Sequence, residues 1–242
     1  MNHVSLLEQI PVHTAALRAD AVHAGPDAPT PTCPGWAVRD LVAHVAESTA
    51  WIEKALALPA DAAAPDPPAV PAGWDELLSW WDERAAAVAA ALASADPAAR
   101  VWSFVPVPDV DVAWYARRIA HETAIHALDA AHAAGRDVPP LLFDTAFAAD
   151  GVDELLAIIP PAPAPTAGTV LLHAADAGRA WLLTLSTDAP VAVDTSPDEP
   201  DGLDADARVV GTADAVYRAV WGRPSHAIVS GDPALVSTIK TF

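Results

Sequence analysis

"TPTCPGWAVRDLVAHVAESTAW", residues 30–51, passes from a proline- and glycine-bearing loop into a run with the period of an α-helix. Val38, Leu41, Val42 and Val45, continued by Ile52 and Leu56, fall on one face, so the spacing predicts a helix over about residues 37–58. His44 follows Leu41 by three and precedes Ser48 by four, which sets an imidazole at the border of that apolar face. A lone histidine in this position is ordinarily a hydrogen-bonded structural residue. Cys33, the sole cysteine of the chain, stands just before the helix and reads as a small, inert packing residue. Ala37 occupies the N-cap position with Asp40 three residues on, a weakened form of the reciprocal cap.

Working outward, proline and glycine punctuation divides the first half into four helices. The first covers about residues 3–24 and stops at "GPDAPTPTCPG". After the proline-rich "LPADAAAPDPPAVPAG", a third runs from Trp74 to about Ala95 with Leu77, Leu78, Trp81 and Val88 inward. The fourth runs from about 110 to 134 and ends at Gly135, a natural position for a left-handed residue after a helix. Four amphipathic helices taken as antiparallel neighbours predict an up-and-down bundle. In the second half the period changes from helical to alternating. "FDTAFAADGVDELLAII" reads as a helix, "GTVLLHA", "RAWLLTLST", "APVAVDTS", "ARVVG" and "HAIVSG" as strands, and "TADAVYRAVWGR" and a segment from Asp232 as further helices. The expected fold class is α+β, with a helical domain over residues 1–138 and a small α+β domain over residues 139–242.

Composition narrows the function classes. Apolar residues make up 52% of the 242 residues, enough for one large or two modest cores. One cysteine rules out an internal disulfide framework and a cysteine-rich zinc ribbon, which points to a reducing, cytoplasmic compartment. A formal charge of -19, from 32 acidic against 13 basic residues, repels phosphate backbones and anionic lipid, so neither nucleic acid nor a membrane surface is an expected partner. The N-terminus lacks the basic start and apolar core of a signal peptide, and no apolar run reaches the length of a membrane span.

The fourth helix carries "RRIAHETAIHALDAAH", which differs from the zinc-protease pattern by one extra residue between the histidines. Residues four apart on a helix lie about 40° apart around its axis, so Glu122 and His126 share a face while His121 and His126 diverge. The pair continues the inward stripe of Val112, Tyr115 and Ile119. A buried carboxylate needs compensation, either from a polar network or salt bridge, for example with Arg118, or from a metal. With His44 as third ligand, two histidines and a carboxylate would leave an open coordination position; zinc, iron, nickel or cobalt suits that set. Asp129 is the candidate acceptor for a ligand's free N–H. His121, His132 and His173 read as structural, and Trp36, Trp51, Trp80 and Trp81 as core or pocket lining.

Together "PTCPGWAVRDLVAHVAE" and "WYARRIAHETAIHALDAAHAAG" resemble the mycothiol-dependent maleylpyruvate isomerase family, and "ARVVGTADAVYRAVWGR…VSGDPALV" is similar to its C-terminal domain. The resemblance implies a DinB-like four-helix bundle followed by a sterol-carrier-like α+β domain. It implies a divalent metal, usually zinc, held by His44, Glu122 and His126, and mycothiol as the nucleophilic cosubstrate. It further implies thiol transfer to a small electrophile or cis-trans isomerisation of one. The prototype grips a dicarboxylate with an arginine, for which Arg84 in "WWDER" is the loose counterpart. Two other classes stand beside this reading: a non-catalytic binding protein for an apolar small molecule, and a metal-dependent hydrolase using the same three ligands.

Overall fold

The computed structural model describes residues 1–105, 109–158, 164–196 and 203–239. The chain divides into two compact units, Met1–Val138 and Pro139–Phe242. The first unit holds α1 (His3–Ala24), α2 (Val38–Leu56), α3 (Trp74–Ser94) and α4 (Val112–Ala133). Asn2 caps α1 and Asp111 caps α4, each accepting a backbone N–H three residues on. At α2 only half of the reciprocal cap survives: Ala37 has no side-chain oxygen to offer, but Asp40 Oδ2 accepts the Ala37 N–H at 2.8 Å. Gly135 follows α4 at φ 66°, the left-handed stop that the sequence suggests.

The apolar stripes of the four helices meet in one core. Leu17 and Ala21 of α1, Val38, Leu41, Val42 and Val45 of α2 and Leu77 and Trp81 of α3 pack with Ala130 of α4. Helix directions depart from strict alternation. Arg39 near the start of α2 lies over the Trp74 ring that opens α3, and Glu53 near the end of α2 pairs with Arg84 at mid-α3, so these two helices run the same way. Likewise Asp20 at the end of α1 pairs with Arg136 just past α4, so α1 and α4 are parallel. The proline-rich segment 57–73 is long enough to carry the chain back along the bundle before α3 begins. Helix α2 therefore opposes α4, which sets the middle of one against the middle of the other.

The second unit begins with α5 (Thr145–Ile158), continues through β1 (Gly168–Ala174), β2 (Arg179–Leu185), β3 (Ala192–Asp194) and β4 (Ala207–Gly211), and closes with α6 (Ala213–Val220), β5 (Ile228–Gly231) and α7 (Pro233–Ile239). Ile159, the end of the expected fifth helix, lies outside the described residues. The sheet order is β3-β2-β1-β4-β5, with β1 and β4 parallel and the other pairs antiparallel. Val170, Leu171 and Leu172 make β1 a near-continuous apolar run because it is central. Asp214 of α6 accepts the backbone N–H groups of Leu142 and Phe143 and pairs with Arg218, which donates to the Pro139 carbonyl; this ties α6 to the unit's first segment. Among the described residues no helix is long and apolar enough to cross a membrane.

One partly buried residue of α1 carries a pH signature. Burial, and then the neighbouring His121, push the His13 imidazole from 6.5 down to about 4. The unfolded chain takes up this proton near pH 6.5 and the folded chain only near pH 4. The stability tied to neutral His13 is therefore complete above pH 6.5 and declines as the pH falls toward 4, by roughly 3 kcal/mol at most. Urea denaturation at pH 7, 5.5 and 4.5 should show this slope in the wild type and a shallower one in His13→Gln.

Candidate metal centre

Helix α4 is buried along most of its length, and its polar residues at 122, 126 and 129 enter the bundle where α2 crosses it. Glu122 and His126, one turn apart, present Oε1 and Nε2 to each other at 3.3 Å. From α2, His44 Nε2 reaches the same Oε1 at 2.9 Å. The three donor atoms all lie within 4.8 Å of one another. The cluster is asymmetric in exposure: the side chains of Glu122 and His126 are 10% and 7% exposed, whereas that of His44 is 42% exposed. The site is therefore closed toward the core and open beside His44.

Charge within the cluster is balanced. Arg118, one turn before Glu122 on α4, pairs with Oε2 and leaves Oε1 facing the imidazoles. Burial alone would raise the Glu122 carboxyl, but the Arg118 guanidinium and then His126 outweigh it and hold the group well below the usual carboxylate range. Burial likewise works against a charged His126, yet Glu122, followed by Asp129 and Cys33, raises this imidazole well above its usual value. The salt bridge to Arg118 and the three-donor cluster are thus two halves of one arrangement, since each uses a different carboxylate oxygen.

The segment that precedes α2 closes the back of the site. Trp36 N–H donates to the Cys33 carbonyl at 3.0 Å across Pro34 and Gly35, and Gly35 takes φ 87°. This is the turn that a Pro-Gly pair favours, with glycine at the left-handed position. Trp36 emerges with its ring centroid 5.1 Å from that of His44 and 6.4 Å from that of His126. The same turn brings Thr32 and Cys33 to Asp129: Thr32 Oγ1 donates to Oδ1 at 2.5 Å and Cys33 Sγ to Oδ2 at 3.3 Å. Asp129 Oδ2 in turn stands 2.9 Å from His126 Nδ1. Cys33 is therefore not the inert packing residue its isolation in the sequence suggested. The missed signal was the Pro-Gly dipeptide, whose turn aims the residues before it at α4.

Arg84 lies away from this cluster. Its guanidinium pairs with Glu53 at 3.1 Å and reaches Glu83 at 3.5 Å; Glu53 is nine residues beyond His44, about 13 Å along α2. His121 is buried on α4 outside the three-donor set, and His132 and His173 also stand outside it. Trp51, seven residues beyond His44, stacks on Trp102, and a chain of ring contacts continues through Phe104 to Tyr115, seven residues before Glu122.

With this geometry in view, the comparisons with known proteins are specific. A model described as the mycothiol maleylpyruvate isomerase N-terminal domain matches residues 7–131, and a model of the C-terminal domain of the same proteins matches residues 146–238. The chain belongs to the mycothiol-dependent maleylpyruvate isomerase family. Its fold is that of the solved mycothiol-dependent maleylpyruvate isomerase, with TM-score 0.62, 14% identity, and coverage of 95% of this chain and 93% of that one. A histidine-to-alanine mutant of that isomerase matches equally, with TM-score 0.63 and 14% identity over the same shares. No curated protein matches the chain in sequence. All three candidate ligands lie inside the region matched by the N-terminal family model.

The donor set fits a divalent cation: two imidazole nitrogens and one carboxylate oxygen converge, and each buried ligand is braced from behind by Arg118 or Asp129. Replacing Arg118 by Met should leave the Glu122 carboxylate under-compensated. In the presence of EDTA the variant is expected to lose about 3–5 kcal/mol in chemical denaturation, and added zinc should recover a substantial part. Equal losses with and without zinc would show that the two groups act independently.

Proposed function

We propose that this member of the family is a metal-dependent enzyme that uses mycothiol as an external nucleophile on a small electrophile, either transferring the thiol or catalysing cis-trans isomerisation by adding and then eliminating it. The observation that carries this reading is the convergence of His44 Nε2, Glu122 Oε1 and His126 Nε2, open on the His44 side. His44, Glu122 and His126 are the proposed metal ligands, with zinc as the metal that best suits two imidazoles and a carboxylate. A divalent cation held there would supply a position at which a thiol is bound as thiolate at neutral pH, although a free thiol has a pKa of about 8.5. The chain then needs no nucleophile of its own, which accords with Cys33 being engaged by Asp129.

The protein's own residues account for the remaining requirements. Arg118 keeps Glu122 ionised and turned, Asp129 holds the ring of His126, and Trp36 covers the two imidazoles. Trp51, two turns beyond His44 on α2, with Trp102 and Phe104 packed on it and backed by buried Tyr115, would supply an apolar wall for the electrophile. Arg84, the proposed counterpart of a carboxylate-gripping arginine, is already held by Glu53, so a dicarboxylate would have to displace that partner. This favours an electrophile of lower charge than maleylpyruvate.

The test is metal analysis of protein purified without a histidine tag, followed by a screen of mycothiol with a panel of electrophiles. Stoichiometric metal in the wild type, its loss in His126→Ala, and a fall in turnover of at least about a hundredfold are expected. Absence of metal from the wild type after incubation with zinc would sink the reading. Retained metal with a bound hydrophobic metabolite, and no thiol adduct from any electrophile, would favour a binding protein instead.

A further inference from the structure

Asp129 is wholly buried, and its carboxylate is surrounded on both oxygens. Thr32 Oγ1 donates to Oδ1, Cys33 Sγ donates to Oδ2, and Oδ2 faces His126 Nδ1. Two of these three groups come from the turn before α2, and the thiol of Cys33 also lies within 4.8 Å of the His126 ring nitrogen that faces Asp129. We infer that Thr32 and Cys33 are positioning residues: they lock the Asp129 carboxylate in the rotamer that accepts the Nδ1–H of His126, and so turn Nε2 toward Glu122 and the cation site. The inference rests on the ligand role of His126 proposed above.

The physical argument concerns freedom of rotation. A carboxylate at the end of a short side chain can turn about its last bond, and one acceptor contact to an imidazole does not stop it. Two further donors, one on each oxygen, fix the plane. The imidazole then receives its partner from a defined direction, and Nε2 is held facing Glu122 Oε1, 3.3 Å away. The arrangement also explains why Cys33 and Thr32 adjoin the Pro34-Gly35 turn, whose backbone bond from Trp36 to Cys33 holds the two donors against α4. Packing alone would ask only for residues of the right size. A donor clamp asks for an O–H or S–H at both positions, and this difference makes the inference testable.

The experiment compares Thr32→Val, Cys33→Ala and their double variant with the donor-retaining Thr32→Ser and Cys33→Ser. Zinc affinity is measured by competition with a chromophoric chelator, and the Nδ1 proton of His126 is followed by NMR in the metal-free protein. The single Val and Ala variants should lose about 3- to 10-fold in affinity and the double variant about 10- to 100-fold, with the serine variants near wild type. The His126 Nδ1 proton should be downfield and slowly exchanging in the wild type and serine variants, and shifted or exchange-broadened in the double variant. Serine variants as impaired as the apolar ones would overturn the inference, as would a double variant with wild-type affinity and resonance. Should the wild type bind no zinc, the metal reading fails, and the NMR comparison still decides the clamp.

Discussion

Glu122 is the group on which the site depends, because a carboxylate 10% exposed in the middle of a helical bundle has to be compensated on every side. Arg118 takes one oxygen and the two imidazoles share the other. Removing any of these leaves part of the charge without a partner in a place that water reaches poorly. The compensation is spread over two helices, so the cost of burying the carboxylate couples the position of α2 to that of α4. A cation held in the cluster would take over part of the compensation that Arg118 and His126 now give Glu122. The donor set suits a metal in this sense: the negative charge is already placed, and its neighbours are already turned toward it.

That coupling works only because α2 and α4 oppose each other at their middles. In a bundle whose helices alternate strictly, short loops would make α1 and α2 neighbours, and α3 and α4 as well. Here long proline-bearing connections send α2 across from α1 and return the chain before α3. The segment before α2 therefore passes over α4, and its Pro-Gly turn sets Trp36 on the imidazoles and Thr32 and Cys33 on Asp129. Loop length thus decides which helix faces meet, and turn chemistry decides which side chains lie between them.

Much of this is legible in the sequence because the signals are local. The helix stripes around Val38–Leu56 and Val112–Ala133, the left-handed stop at Gly135 and the alternating runs "GTVLLHA" and "ARVVG" each rest on residues within a few positions of one another. The pairing of Glu122 with His126 is also local, since it follows from helical rise alone. His44 could be joined to them because an imidazole at the edge of an apolar stripe lacks a reason within its own helix. Helix direction was not legible, since nothing in an amphipathic pattern distinguishes a parallel from an antiparallel neighbour. Cys33 was misread for a related cause: a thiol among prolines has no local partner, and its acceptor is 96 positions away. Arg84 shows the converse, because its sequence position suggests a free cation whereas Glu53, on another helix, already holds it.

The aromatic residues bear on how such a site would act on a reagent brought from outside. A thiol that arrives from solvent needs a route open to water, and the electrophile needs a surface on which to lie next to it. His44 supplies the first, since nearly half of its side chain is accessible. On the proposed reading the second would come from Trp51 and Tyr115, which lie on the ligand-bearing faces of α2 and α4, linked by Trp102 and Phe104 from the segment before α4. The face of α2 that bears His44 thus continues into Trp51, and the face of α4 that bears Glu122 continues back to Tyr115, a polar cluster adjoining an apolar one along a single pair of helices. On the proposed reading, that order, with Glu122 compensated at one end and Arg84 already paired with Glu53, would discriminate by size and polarity rather than by a substrate's negative charge.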